Sequence, residues 1–280
     1  MKYIHATKGS FVAFIIFTIA AYFIPGAGSS SEVELILTIS TFLFAIILGF
    51  YLSRLNTRYD KIRELIASED SRWLTIYEQS AFMGHGFQDR VRDIIDKYYI
   101  SAYDFKIGEH KNFTEQYIQE LYRAMQEEKN IDGFKAENAF NHISEVLREL
   151  ERERNAITVV TFERLNWSQW VMLFILAGVI LFSIFFLKSE TLFSQVTVVL
   201  LSTVMVLVLL IARDLQNFLL GGKSVVEESG QQVFDALGKL RYYPAIYLKK
   251  HVVKFATHVK EHRIGHHEAG KEHKIETRKV

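Results

Sequence analysis

Hydrophobic positions along the chain gather into four uncharged blocks, residues 9–28, 35–53, 170–187 and 192–212, separated by polar stretches in which apolar residues return at helical spacing. A helix rising ~1.5 Å per residue needs about 20 residues to cross a hydrocarbon core of roughly 30 Å, so each block predicts a transmembrane helix. The first is the weakest, because its strictly apolar run is short and ends at Pro25. A signal peptide cut near Ala27-Gly28 is the alternative, but a short Gly/Ser linker ties this block to the second, and a retained span is expected.

Residues 54–166 predict a helical domain that continues the second span without a breaker. Apolar stripes run through Ile62, Leu65, Ile66, Trp73, Ile76 and Tyr77, through Phe113, Tyr117, Leu121 and Met125, and through Phe140, Ile143, Val146, Leu147 and Leu150. Each stripe needs a partner helix. Gly84-His85-Gly86 is expected to break the first long helix, and Asn112-Phe113-Thr114-Glu115 has the side chains of a capped helix start. The resulting plan is all-α: spans one and two in 1–53, a helical cytoplasmic domain in 54–166, spans three and four in 167–212, a helical extension in 213–248 and a basic, His-rich tail in 249–280. Within the tail, Val252, Phe255, Ala256 and Val259 predict one helical face, and disorder is expected beyond Gly265.

Charge supplies the orientation. Lys2, Lys8, Arg54, Arg58, Lys61, Arg63, Arg154, Arg164, Arg213 and Lys223 all fall on one side of a four-span arrangement, which the positive-inside tendency places in the cytoplasm with both termini. Of 33 basic residues, only Lys188 lies on the other side, where it meets Glu32, Glu34 and Glu190. A multi-pass protein of the cell (inner) membrane is expected.

Composition then removes several function classes. With no cysteine there is no disulfide, thiolate nucleophile or Cys-based metal site, and the two prolines, Pro25 and Pro244, leave long helices uninterrupted. Residues 54–165 hold 17 basic and 21 acidic side chains, which lacks the basic excess of a nucleic-acid surface. No ionisable residue lies in the core of a span, so an ion-coupled transport site has no candidate. No phosphate loop, catalytic triad order or metalloprotease motif supports an enzyme, and no cofactor is expected. His258, His262 and His266 recur every four residues and could share a helix face as metal ligands, but a solvated basic tail is the favoured reading because Gly265 interrupts that helix.

The second span reads Phe42-Leu43-Phe44-Ala45-Ile46-Ile47-Leu48-Gly49-Phe50-Tyr51-Leu52-Ser53, with Arg58-Tyr59 following. Leu48-Gly49-Phe50-Tyr51, with Arg58 and Tyr59 eight and nine residues after Phe50, resembles the second transmembrane helix of bestrophins. Glu69 to Tyr77, Lys97-Tyr98-Tyr99, Arg148 with Arg152, and Ala212-Arg213-Asp214-Leu215 look like bacterial bestrophin-like four-span proteins. The resemblance covers roughly residues 10 to 245. It implies a homopentamer in the lipid bilayer around a central pore for inorganic ions, anion-permeable with chloride the expected ion or in some members cation-permeable, and a narrow apolar neck on the second span.

Carried onto this chain, the neck falls on Phe42, Ile46 and Phe50, whose steps of four keep them on one helix face, where an apolar ring can gate by dewetting. Packing against lipid or a neighbouring helix is the alternative. The small residues Thr41, Ala45 and Gly49 beside that stripe read as a packing surface. Calcium-activated animal members carry a dense acidic cluster after the fourth span; here only Asp214 stands there, with Glu227 and Glu228 further on, short of the six to eight oxygens calcium takes, and calcium gating is not expected. Two functions remain open, a pore-forming channel and a membrane-anchored scaffold or signalling protein acting through its cytoplasmic helices.

Overall fold

The computed structural model describes residues 5–105, 110–129, 131, 133–220, 223–224, 230–245, 248, 255, 259–266 and 274–279. Among the described residues, eight helices and five strands follow in chain order: α1 (Ala6–Phe23), α2 (Ser31–Ser80), a 3-10 turn (Ala81–Met83), α3 (His85–Asp104), α4 (His110–Glu127), α5 (Phe134–Phe162), α6 (Trp167–Phe186), α7 (Leu192–Gln216), β1 (Leu219–Leu220), β2 (Lys223–Ser224), α8 (Gln231–Ala236), β3 (Tyr242–Pro244), β4 (Glu261–His266) and β5 (Lys274–Lys279). The chain divides into two compact units, one of residues 1–60 and 164–224, the other of residues 61–163 and 225–280.

The first unit holds the four helices long and apolar enough to cross a membrane, α1, α2, α6 and α7. Phe44 and Leu48 of α2 pack against Leu173, Ala177, Ile180 and Ile184 of α6 and Val198 of α7. Helix α1 ends where Pro25 forces the preceding Ile24 into an extended conformation, φ −91° and ψ 113°. Its carbonyls at Ala21 and Ile24 accept from the buried Lys188 ammonium, at 2.7 Å for Ile24. Beside them the amide of Ala27 donates to the Phe186 carbonyl at 2.8 Å, and a Cβ on Gly26 would collide with the Lys188 carbonyl, so glycine permits this approach of two connections. Lone among the basic residues in sequence, Lys188 is a helix C-cap in space.

The second unit is built from the C-terminal part of α2 with α3, α4, α5, α8 and a three-stranded sheet. Its core joins Trp73 and Ile76 of α2, Val91, Ile95 and Tyr98 of α3, Ile118 and Leu121 of α4, Ile143, Leu147 and Leu150 of α5, and Phe234 and Tyr242. The expected break at Gly84-His85-Gly86 is present, with Gly84 at φ +108°. Helix α4 begins at His110 instead of after Asn112, so Thr114 is a buried interior residue and not a cap; its hydroxyl accepts from Arg154 at 2.8 Å. On α4 the buried positions are Thr114, Ile118, Leu121, Ala124 and Met125, while Phe113 of the expected stripe is 40% exposed.

The C-terminal expectations change more. Among its described residues the stretch 213–248, expected as a helical extension, is helical only in part: it carries the end of α7, a two-residue strand pair, the six-residue α8 and β3. The tail forms strands, β3 running parallel to β4 and β4 antiparallel to β5, with His262 opposite Arg278. The described part beyond Gly265 therefore includes a paired strand and is not disordered. Burial alternates at His262 and Ile264, the period-two pattern of a half-covered strand, and Phe255 and Val259, expected on a helical face, lie in neither helix nor strand. Val252 and Ala256 lie outside the described residues.

Candidate functional site

Helix α2 presents two opposed faces within the first unit. Phe44, Leu48 and Leu55 are buried, and Tyr51 and Leu52 are partly covered by α6 and α7. Phe42, Ile46 and Phe50 are 66%, 42% and 73% exposed in the single chain. Thr41, Ala45 and Gly49 are exposed too, and a Cβ on Gly49 would meet nothing within 4 Å, so this small-residue stripe does not pack inside the chain. The motif residues thus divide: Leu48, Arg58 and Tyr59 turn inward, while Gly49 and the three neck candidates turn outward.

Arg58 closes the end of this span. Its Nη1 donates to the Gln216 carbonyl at the end of α7 at 2.9 Å, and its guanidinium lies 3.9 Å from the centroid of the Phe218 ring. Phe218 holds φ at +55°, which folds its ring back under α7. The Gln216 side chain accepts from the Trp170 indole at 3.1 Å and from the Leu165 amide at 3.2 Å, which joins α6 to the same point. Asp214, buried, accepts from the Ala6 amide at 3.3 Å and pairs with Arg213 at 2.8 Å. Gln216 and Phe218, which receive Arg58, carried no sequence signal.

In the second unit the separate stretches Glu69 to Tyr77 and Lys97-Tyr98-Tyr99 meet. The Tyr98 hydroxyl donates to Glu69, and Tyr99 donates to Asp70 at 2.6 Å while the Gly230 amide donates to the same carboxylate at 2.9 Å. Burial pushes the Glu69 carboxyl up to about 7, partly offset by the Tyr98 hydrogen bond, and burial likewise raises both tyrosines. Arg154, itself buried, lies over the Tyr98 ring and pairs with Glu115 at 3.1 Å. Arg154, not the Arg148 or Arg152 picked out in the sequence, is the arginine of α5 that this cluster uses.

The structure does not place the described histidines of this constellation on one helix face. His262 and His266 lie on β4, where four residues span about 13 Å against about 6 Å on a helix. His262 packs between the Tyr243 and Phe255 rings, and His266 lies 3.6 Å from Glu276. His258 is outside the described residues, and among those described no group of three His, Cys, Asp or Glu could hold a metal ion.

Four apolar spanning helices joined to a helical unit define an all-α integral membrane protein. Residues 11–229 match the model of the Bestrophin-like domain, well over half of the chain, and the protein belongs to the bestrophin-like family. No curated protein and no solved structure matches it. The family points to an ion channel, and to a channel rather than an enzyme.

Proposed function

We propose that copies of this chain close into a ring, five by the family resemblance, around a pore lined by the exposed face of α2, with Phe42, Ile46 and Phe50 as its neck. One observation carries the reading. The same helix buries Phe44 and Leu48 against its own chain and leaves three large apolar side chains exposed on the other side. From Phe42 to Phe50 the stripe runs roughly 12 Å, two turns of apolar surface that would exclude water when repeated around an axis. The exposed Thr41, Ala45 and Gly49 flank it and supply a surface on which a neighbouring helix can approach closely. Both termini lie in the cytoplasm in this reading, within the cell (inner) membrane, following the basic residues.

The mass of the detergent-solubilised protein tests the ring. A closed oligomer, five copies, is the expected result; a clean monomer removes the central pore and returns the chain to the scaffold reading. A reporter inserted near Gly133 should be active only in the cytoplasm, and an extracytoplasmic signal contradicts the orientation. Chloride is the ion that the resemblance alone implies.

A further inference from the structure

A cleft of about 460 Å³ opens between α1 and α6 at the end of the spans where Lys188 stands. Its walls include Phe17 and Ala20 of α1, Ile24 at the C-cap of that helix, and Phe182, Phe185 and Phe186 of α6, and all its lining side chains are apolar. The two helices are tied at both ends of the cleft. The Phe17 and Phe185 rings lie 6.2 Å apart, and the Ala27 amide donates to the Phe186 carbonyl at 2.8 Å, while between these ties Ala20 offers only a methyl group. From Phe17 to Ile24 the cleft runs about 11 Å at ~1.5 Å per residue, most of one leaflet of a hydrocarbon core roughly 30 Å thick.

Backbone groups at the closed end are already used. The Ala20 carbonyl accepts from the Ile24 amide at 2.9 Å, the Ala21 and Ile24 carbonyls accept from Lys188, and the Phe186 carbonyl accepts from Ala27. These carbonyls ask nothing of an occupant, and a polar group placed in the cleft would lose its hydrogen bonds to water without replacement. On α6, Leu173, Ala177, Ile180 and Ile184 face α2, whereas Phe182 and Phe186 point about 150° or more away from that stripe at ~100° per residue. The neck face of α2 lies on the opposite side of the same contact, so a ring closed around the neck turns the cleft outward, toward lipid.

We infer that this cleft binds one acyl chain of a zwitterionic phospholipid, with the headgroup ammonium facing an acidic rim. The inference goes beyond the pore and takes from that reading only the outward direction of the cleft. Lipid tails are as apolar as leucine, so a site for a tail gains from shape and close packing, which phenylalanine rings around a methyl-floored slot supply. Charge at the rim selects the headgroup. The connections 24–30 and 187–191 and the first turn of α2 carry Glu32, Glu34 and Glu190, all exposed, and a single cation, Lys188, buried with its ammonium on the α1 carbonyls. An ammonium-bearing headgroup meets carboxylates there, whereas an anionic headgroup meets the same carboxylates with no exposed cation in these segments to offset them.

The test is photolabelling of the full-length protein in mixed phosphatidylethanolamine and phosphatidylglycerol vesicles. A diazirine near the end of one acyl chain is carried by either lipid at equal amount, and the labelled residues are mapped by peptide mass spectrometry. The phosphatidylethanolamine probe is expected to label Phe17, Ile24 and Phe182 about threefold or more above Phe193 and Val204, exposed apolar residues of α7 outside the cleft, and to do so more than the phosphatidylglycerol probe. Ala20→Phe fills the slot and should bring labelling down to the α7 level, while Phe193→Ala leaves it unchanged. The ratio between the two probes is read on the parent, so it decides the matter even where the phenylalanine variant fails to assemble. Uniform labelling of α1, α6 and α7 overturns the inference in favour of ordinary lipid contact, and labelling weaker in the cleft than on α7 overturns it in favour of a second copy covering the site. Equal or stronger labelling by phosphatidylglycerol overturns the headgroup assignment. Conductance of the parent tests the pore separately, so failure of the one is distinguishable from failure of the other.

Discussion

The guanidinium of Arg58 stacks 3.9 Å from the centre of the Phe218 ring while its Nη1 holds the Gln216 carbonyl at 2.9 Å. The pair ties the end of the α2 span to the end of α7, and through the Gln216 side chain to Trp170 at the start of α6. Arginine suits this position because one planar cation can lie over a ring and donate from its edge at the same time.

Arg58→Ala should therefore destabilise the membrane unit by about 2 kcal/mol, from the combined loss of a buried hydrogen bond and a cation–π contact. Arg58→Lys should recover only part of this, since an ammonium cannot stack and bridge in one geometry. Thermal melts of the detergent-solubilised protein check both, and a fully stable lysine variant would show that charge alone matters there.

Lys188 makes a different prediction. Lys188→Met keeps the apolar stem and removes the donor that satisfies the Ala21 and Ile24 carbonyls. Two helix-end carbonyls lose their partner, at a cost of about 2 kcal/mol. Hydrogen exchange should rise selectively at the last turn of α1 and the following connection, with the remainder of the membrane unit unchanged.

Glu69 gives the helical unit a pH dependence. Its carboxyl titrates at about 7 in the folded protein against an ordinary value of 4.5, because burial disfavours the charged form. Between those values the folded state keeps a proton that the unfolded state has released, so stability is greatest below about 4.5 and is lost as pH rises through 7. The shift corresponds to about 3 kcal/mol. Glu69→Gln, which resembles the protonated acid and can still accept from Tyr98, should flatten this slope. Melting temperatures at pH 5 and pH 8, parent against variant, measure it; equal slopes would assign the pH response to other groups.

The spans were legible because a bilayer demands long uncharged runs, and the break at Gly84 because its positive φ suits glycine. Reading the face of α2 that carries Phe42, Ile46 and Phe50 required only its steps of four. What stayed hidden was set by partners distant in sequence. Thr114 looks like a cap locally, yet it faces Arg154, forty residues on. The tail histidines at intervals of four fit a helix and a strand alike, since four is close to the helical repeat and a multiple of two; pairing with Lys274–Lys279 decides for the strand. Lys188 was conspicuous as a lone cation, but its role depends on where α1 ends.

The central claim, that the exposed face of α2 lines the pore, is tested most directly by conductance of the Phe42→Ala, Ile46→Ala, Phe50→Ala triple variant in reconstituted bilayers. Replacing three large apolar side chains in every subunit widens the neck and lowers the dewetting barrier over roughly 12 Å of pore. The account predicts an assembled variant that conducts more, and with less gating, than the parent. A variant that assembles with the parent's mass and conducts as the parent does would show that this face is packing surface and that the pore lies elsewhere.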